Sequence, residues 1–150
     1  MSDEIIRVGE PRAAGFWIRA AALVIDLVIV GFVKLSLELI AGRRYGAEVE
    51  QAWSFQTTIV LFTLLFTAAY TTLLHTWLGQ TVGKSVVGVR VIAADGRGLD
   101  GNAAFLRYLG YYVSMATFGF GYLMAALRRD KRALHDLIAG SRVEHVRPEA

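Results

Sequence analysis

Arg19 and Asp26 carry opposite charges inside the first long apolar stretch of this 150-residue chain, which covers residues 13–40. Seven residues of helix make about two turns, so both side chains point to the same side. They are also about 10.5 Å apart along the helix axis, and Arg19 leans toward the N-terminus, away from Asp26. Each charge therefore needs a partner from another part of the chain.

Asp26 is the residue best suited to ion chemistry. It lies about two turns deeper in the apolar stretch than Arg19, where an unpaired charge costs roughly 2.5 to 3.5 kcal/mol. The carboxylate must face the protein interior and either pair or take up a proton. Two interpretations stay open: a carboxylate that exchanges a proton or cation, and a polar contact that packs helices. Its candidate partners are basic residues and hydroxyls of later segments: Lys84, Arg107, His75, Thr67, Thr71 and Thr72.

Arg19 lies near the expected membrane interface, and Asp136 in the basic C-terminal region is its best candidate partner. We interpret the pair as a salt bridge that ties the tail to the first helix, with a gate that opens when the pair parts as the alternative. His135 precedes Asp136, but adjacent helical side chains diverge by about 100°, so we expect it to structure the tail rather than relay protons. Lys34 and Glu38 are spaced for a surface ion pair.

The residue inventory argues against an enzyme. Cysteine is absent and the three histidines are scattered, so we expect no thiol nucleophile, no cofactor and no metal site. Residues 83–85 resemble the end of a phosphate-binding loop, but Leu78 stands where that loop needs glycine. The net charge of +3 falls in patches between apolar stretches, which indicates an anionic lipid surface rather than nucleic acid.

Three apolar segments, at residues 13–40, 55–78 and 108–127, are long enough to enter or cross a bilayer, which takes about 20 residues. The second and third contain no Asp, Glu, Lys or Arg, and 55% of the chain is hydrophobic. These features predict an all-α integral membrane protein, embedded in the lipid bilayer of a bacterial cytoplasmic membrane.

The distribution of Lys and Arg predicts the orientation. These residues are concentrated in the N-terminal flank, the second connection and the tail, and such basic regions stay in the cytoplasm. Both termini on one side require an even number of crossings. We therefore expect the third apolar segment to be re-entrant or split near residues 118–121, with a simple third span as the alternative. The chain then has two to four membrane helices.

Two polar connections complete the predicted fold. Residues 79–88 suit a short amphipathic helix at the inner interface, and Gly79 and Gly83 are spaced for close helix approach. Residues 89–94 and 141–146 are rich in β-branched side chains, and we expect them to pair as a short cytoplasmic two-stranded ribbon. The predicted organisation is a cytoplasmic flank at residues 1–12, a membrane domain at 13–143 and a cytoplasmic tail at 144–150.

Several of these segments together resemble the RDD family of membrane proteins, which is named for one arginine and two aspartates. The resemblance implies that Arg19, Asp26 and Asp136 are the name-giving residues. It also implies transport of unidentified ligands, with cation exchange as one form. The chain departs from relatives that have room for two full helices where it has only residues 108–127. The matching pieces occur in the family's order at residues 14–19, 26, 79–84, 88–91, 95–96, 107 and 132–143.

These observations favour two functions. The first is a small cation or proton transporter, or a transport component, that uses an intramembrane carboxylate. Because one copy has few helices, this function requires a homo-oligomer, with sodium or protons as the ligand. The second is a non-catalytic scaffold or assembly factor whose basic cytoplasmic tail holds an unidentified membrane protein. The residues predicted to form the polar network are Arg19, Asp26, Asp136, Lys84, Arg107 and His135.

Overall fold

The computed structural model describes residues 12–46 and 53–146. Within these residues the chain is mostly helical, with one small antiparallel sheet. The elements follow in the order α1 (Phe16–Tyr45), α2 (Trp53–Trp77), α3 (Val82–Val86), β1 (Val89–Ala93), α4 (Gly101–Ala116), α5 (Phe120–Leu127), α6 (Leu134–Ile138) and β2 (Ser141–His145).

Helices α1 and α2 are the two long apolar elements of the described chain. Their 30 and 25 residues make them about 45 and 38 Å long, which exceeds the roughly 30 Å hydrocarbon core of a bilayer. Few of their residues are buried, and large apolar side chains such as Phe32 and Leu65 are exposed. The core helix of a soluble protein would bury these side chains, so both helices suit a lipid environment.

The third apolar segment is split, as one of the sequence alternatives predicted. Helix α4 ends at Ala116 and α5 begins at Phe120, with Phe118 and Gly119 at positive φ between them. Helix α5 then turns back along α4. A Cβ on Gly121 would lie 2.6 Å from Ser114, although seven residues of continuous helix would separate them by about 10.5 Å. The simple third span is therefore wrong, and the segment is a helical hairpin.

The predicted ribbon is confirmed. Strands β1 and β2 pair antiparallel, with Val91 opposite Val143. The residues before α1 extend this pairing, since the Ala14 N–H donates to the Val143 carbonyl at 2.9 Å. The C-terminal end of α2 joins the same region, because the Val91 N–H donates to the Gly79 carbonyl at 2.6 Å. The start of α1, the end of α2 and both strands thus meet at one end of the helix pair.

A small apolar core supports this end of the molecule. It combines residues of the ribbon, the segment before α1, the β1–α4 connection and the start of α4. Burial of these side chains fixes the ribbon against the helices. The core residues are Ala14, Val89, Val91, Leu99, Ala104 and Val143.

Helix α3 packs very closely on α1 through Gly83. A Cβ at this position would lie 2.1 Å from the Ala22 carbonyl oxygen, so no larger residue fits without a shift of the backbone. Gly79, expected to share this role, instead ends α2 at φ +68, with its Cα facing the Val91 carbonyl of β1. Only Gly83 of the predicted pair therefore mediates helix–helix contact.

Candidate functional site

Asp136 is the centre of a buried ion-pair network. It lies on the short helix α6, and each of its carboxylate oxygens accepts from a guanidinium, one from Arg19 and the other from Arg107. The Ala133 N–H donates to the same carboxylate at 2.9 Å. Arg107 also donates to the Ser141 hydroxyl at 2.6 Å. The network therefore joins α1, α4, α6 and β2 around one buried carboxylate.

Arg19 uses all three guanidinium nitrogens in this structure. Besides its bond to Asp136, its Nε donates to the Ala14 carbonyl at 3.1 Å and its Nη2 donates to the Lys131 carbonyl at 2.8 Å. The ion pair expected between the first helix and the C-terminal region is thus present. Its geometry fits a fixed tie between α1 and the tail, because each of the three guanidinium nitrogens of Arg19 has a partner.

The electrostatics of Asp136 keep it ionised. Burial by itself would raise the pKa of Asp136, but the Arg107 and Arg19 guanidinium groups outweigh this and hold its pKa well below the ordinary value. A buried carboxylate between two guanidinium groups is strongly tied to its charged form. Asp136 is therefore poorly suited to take up and release protons near neutral pH.

Asp26 is held by hydrogen bonds from uncharged groups. Its Oδ1 accepts from the Tyr70 hydroxyl and from the Gly83 N–H, both at 2.8 Å, and its Oδ2 accepts from the Thr81 hydroxyl at 2.6 Å. Across the described chain no Lys, Arg or His forms an ion pair with it. Asp26 thus sits against the N-terminal turn of α3, with neutral donors on both oxygens.

The partners predicted for Asp26 were wrong. The Thr67 and Thr71 hydroxyls donate to carbonyls one turn earlier in α2, each at 2.7 Å. Helix α3 provides the actual donors Thr81 and Gly83, because it folds onto α1 beside Asp26. The remaining predicted partners, which make no hydrogen bond to Asp26, are Lys84, Arg107, His75 and Thr72.

Lys84 is buried next to Asp26 but bonds to other groups. Its Nζ lies 2.7 Å from His75 Nε2 and donates to the Tyr111 hydroxyl at 3.3 Å. Burial lowers the pKa of Lys84, and the charge of Arg107 lowers it further. Among the residues the structure describes, no carboxylate forms an ion pair with this amine.

Tyr111 connects the two basic groups of the site. Its hydroxyl accepts from Lys84 and also from Arg107 Nε, the latter at 3.1 Å. The sequence patterns did not identify the polar role of this tyrosine. Its spacing of four residues from Arg107 on one helix was the available signal, since such residues are neighbours on the helix surface.

His135 packs inside the helical hairpin. Its ring lies 4.6 Å from the ring of Tyr111 and 5.1 Å from that of Tyr122, measured between centroids. Its Nδ1 is 3.4 Å from the Ser114 hydroxyl. Burial lowers the pKa of His135, and the charge of Arg107 lowers it further, so the ring is neutral near pH 7. The contacts agree with a role in positioning the tail segment.

A cavity of about 300 Å³ lies between α1, α2, α4 and α5. Most of its wall is apolar. Asp136 lies behind this wall and is fully buried. The predicted network residues that line the cavity are Arg19, Asp26, Lys84, Arg107 and His135.

A cluster of His, Asp and Glu ligands is absent from the described residues. In residues 12–46 and 53–146, no three His, Asp or Glu side chains lie close enough together to hold a metal ion. Charged and hydroxyl groups, which can bind protons and small ions, line the cavity.

Comparison with known proteins supports one family. A model of the RDD family matches residues 13–140. Among similar proteins, all from Bacillus subtilis (strain 168), uncharacterized protein YckC is 33% identical over 142 residues, covering 91% of this chain and 87% of its own. Uncharacterized protein YxaI is 30% identical over 147 residues, covering 88% and 97%. Uncharacterized membrane protein YteJ is 30% identical over 140 residues, covering 88% and 80%. No solved structure matches with significance.

Proposed function

Because the chain belongs to the RDD family of membrane proteins, we propose that it is a transport component of the bacterial cytoplasmic membrane in which Asp26 exchanges a proton for a small cation. Sodium is the cation we expect. The observation that carries this proposal is the neutral set of donors around Asp26. A carboxylate without a cationic partner can gain a proton and leave no opposite charge unpaired.

The oxygen atoms around Asp26 also suit a small hard cation. The Tyr70 hydroxyl oxygen lies 2.8 Å from Asp26 Oδ1, and the Thr81 hydroxyl oxygen lies 2.6 Å from Asp26 Oδ2. Hard cations prefer carboxylate and other oxygen ligands. If both hydroxyl hydrogens turn away, the same oxygens accept the cation that replaces the proton. The cavity beside Asp26 provides room for this exchange.

The proposed topology has the N-terminus in the cytoplasm and two spans, α1 and α2. The helical hairpin of α4 and α5 enters the cytoplasmic leaflet from the side of the ribbon. Support comes from the basic residues at the ribbon end, because such groups are retained in the cytoplasm. The exposed or half-buried basic residues of this end include Arg97, Arg128, Arg129, Lys131, Arg132 and Arg142.

We further propose that the protein works as a homo-oligomer. The two long helices leave apolar side chains exposed along most of their length. Two spans and a short hairpin are too few to surround a pathway across the bilayer. Neighbouring copies would supply the missing walls, with the Asp26 side of each copy facing the pathway.

The experiment is a flux measurement in proteoliposomes. Wild-type protein is reconstituted with an internal pH indicator, and an inward sodium gradient is imposed with potassium and valinomycin clamping the voltage. We expect sodium entry to drive protons out in wild type and not in Asp26→Asn. Glu38→Gln is the control, since Glu38 is a carboxylate of the same helix that pairs with Lys34 at 2.7 Å. Equal flux in wild type and Asp26→Asn, or no flux in wild type, would refute the proposal.

A scaffold or assembly factor is the second candidate. The observation that favours it is the exposed basic stretch between α5 and α6, which contains Arg128, Arg129 and Lys131. The Asp136 network fixes this stretch to α1, as expected of a presented docking surface. Replacing the three basic residues with glutamine would remove a partner's binding if this candidate is right, and would leave sodium–proton exchange unchanged if the transport proposal is right.

A further inference from the structure

We propose that the cavity binds a single-chain amphiphile with an anionic head group, a carboxylate or a phosphate, and that Lys84 and Tyr111 contact this head group. The site goes beyond the exchange proposed at Asp26 and does not depend on it. Three independent observations support it: an unbalanced buried cation, unused hydrogen-bond donors and an elongated apolar wall.

The first observation is the surplus positive charge. Arg19, Lys84 and Arg107 are three cations of the network, whereas Asp26 and Asp136 are its two carboxylates. Asp136 is already shared between both guanidinium groups. A buried ammonium without a counter-ion is costly. An anion in the cavity beside Lys84 would balance the charge.

The second observation is the donor capacity at the same place. The Lys84 ammonium has three N–H groups, and its described bonds go to His75 and Tyr111. The Tyr111 hydroxyl accepts from both Lys84 and Arg107, so its own hydrogen remains to be donated. The described bonds of Arg107 use Nε and Nη1. These donors lie close together, since Lys84 Nζ is 5.9 Å and Arg107 Cζ is 5.7 Å from the centre of the Tyr111 ring.

The third observation is the shape and chemistry of the rest of the wall. On α1 the lining runs from Phe16 to Val30, a distance of about 21 Å along the helix, and it is apolar except at Arg19 and Asp26. Leu23, Leu27 and Met115 add apolar surface along the way. The volume of about 300 Å³ lies at the small end of the range for pockets that bind small molecules. Lys84 and Tyr111 line the same cavity as these apolar side chains.

The two parts of the wall select the class of ligand. A free inorganic anion would satisfy Lys84 and leave the apolar wall without a partner. A neutral hydrocarbon would fill the apolar part and leave the ammonium unbalanced. An acyl chain with one anionic head satisfies both, with the head at Lys84 and the chain directed toward Val30.

The test uses three probes that share a sixteen-carbon chain: palmitate, hexadecyl phosphate and hexadecanol. Radiolabelled palmitate is bound to purified full-length protein in a nonionic detergent, and each unlabelled probe competes for it. We expect an anionic probe to compete at least about tenfold better than hexadecanol, since hydrogen bonds to charged groups are worth about a factor of ten or more. The carboxylate and phosphate arms show which head group the site prefers. Equal competition by hexadecanol would overturn the proposal.

Variants locate the head group. Lys84→Met should weaken palmitate binding about tenfold or more, and Lys84→Arg should retain the preference for an anion. Lys34→Met is the control, because Lys34 is half-exposed and pairs with Glu38 away from the cavity. Wild-type affinity in Lys84→Met would overturn the proposal. If Lys84→Met does not fold, the probe series on wild type and Lys84→Arg still decides the role of the charge.

A second variant locates the acyl chain of the ligand. Val30→Trp fills the far end of the cavity and should weaken all three probes while the preference for the anionic head remains. Unchanged binding in Val30→Trp would place the ligand elsewhere and overturn the site. Asp26→Asn removes a negative charge from the wall and should bind palmitate at least as tightly as wild type. A variant that loses sodium–proton exchange but still binds palmitate, or one that loses palmitate binding but still exchanges, therefore separates this proposal from the one at Asp26.

Discussion

The two aspartates of the family pattern, Asp136 and Asp26, lie in opposite electrostatic surroundings. Asp136 is fully buried between the guanidinium groups of Arg19 and Arg107. Asp26 is half-buried on a long apolar helix, and within residues 12–46 and 53–146 it accepts only from neutral groups, namely two hydroxyls and one backbone N–H. Loss of the charge at Asp136 would leave two guanidinium groups without their carboxylate, whereas protonation of Asp26 breaks no ion pair.

This difference separates a structural carboxylate from an exchangeable one. The Asp136 region ties the start of α1 to the hairpin and to the ribbon, and its charges fix that arrangement. The Asp26 region depends on a single close approach, where Gly83 lets α3 reach α1. We therefore expect loss of the charge to damage the fold at Asp136 and to leave the fold largely intact at Asp26.

The largest effect expected is the contrast between Asp136→Asn and Asp26→Asn. Removing one partner of a buried ion pair costs about 3–5 kcal/mol, so Asp136→Asn should lower the free energy of unfolding by that amount. Asp26→Asn keeps an oxygen for two of its donors and should cost about 1 kcal/mol. Denaturant titration of the purified variants in detergent measures both values. Asp130→Asn, at an exposed pair with Arg128, should change little, and equal losses at positions 26 and 136 would break the comparison.

Gly83→Ala tests the contact that brings donors to Asp26. The added Cβ would lie 2.1 Å from the Ala22 carbonyl oxygen, so α3 must move away from α1. We expect a loss of about 1–3 kcal/mol in unfolding free energy, as for other overpacked sites. Gly98→Ala is the control, because a Cβ there meets nothing within 4 Å. Wild-type stability of Gly83→Ala would show that α3 does not pack on α1 in this way.

A smaller effect should come from His135 when the pH is lowered. Burial and the Arg107 charge hold the pKa of His135 below its ordinary value. The unfolded chain protonates His135 near pH 6.5, whereas the folded chain keeps it neutral at that pH. The contribution of His135 to the free energy of unfolding is therefore fully present above about pH 6.5 and decreases at lower pH. The melting temperature should therefore decrease as the pH is lowered from 7.5 to 5.5, and it should decrease less in His135→Gln than in wild type. His145→Gln, at an exposed position of β2, should retain the wild-type slope.

Local sequence features predicted much of the fold. The split of the third apolar segment followed from the Phe-Gly repeat at residues 118–121, where the chain needs positive φ. The ribbon followed from two isolated β-branched runs that had only each other to pair with. The Arg19–Asp136 pair followed from charge sign and from both residues lying on the predicted cytoplasmic side. Each of these inferences used information present in one or two short segments.

The hydrogen-bond donors around Asp26 could not be predicted without knowledge of the tertiary packing. Thr81 and Gly83 reach Asp26 only because α3 folds back against α1, and the closeness of that approach depends on the absence of a Cβ at Gly83. Tyr70 gave no periodic signal that would separate it from a packing aromatic. Tyr111 is four residues from Arg107 on one helix, but that spacing alone does not reveal the contact with Lys84. Side chains that become polar partners through packing are therefore the part that sequence patterns do not reveal.

The most direct test of the difference between the two aspartates is proton release on addition of sodium. Sodium chloride is added to weakly buffered protein in detergent, with choline chloride as the control for ionic strength, and released protons are followed with a pH dye. We expect sodium-specific release from wild type and from Glu38→Gln, and none from Asp26→Asn, whose fold remains intact. Release from Asp26→Asn equal to that of wild type, or no sodium-specific release from wild type, would show that Asp26 is not the exchanging carboxylate.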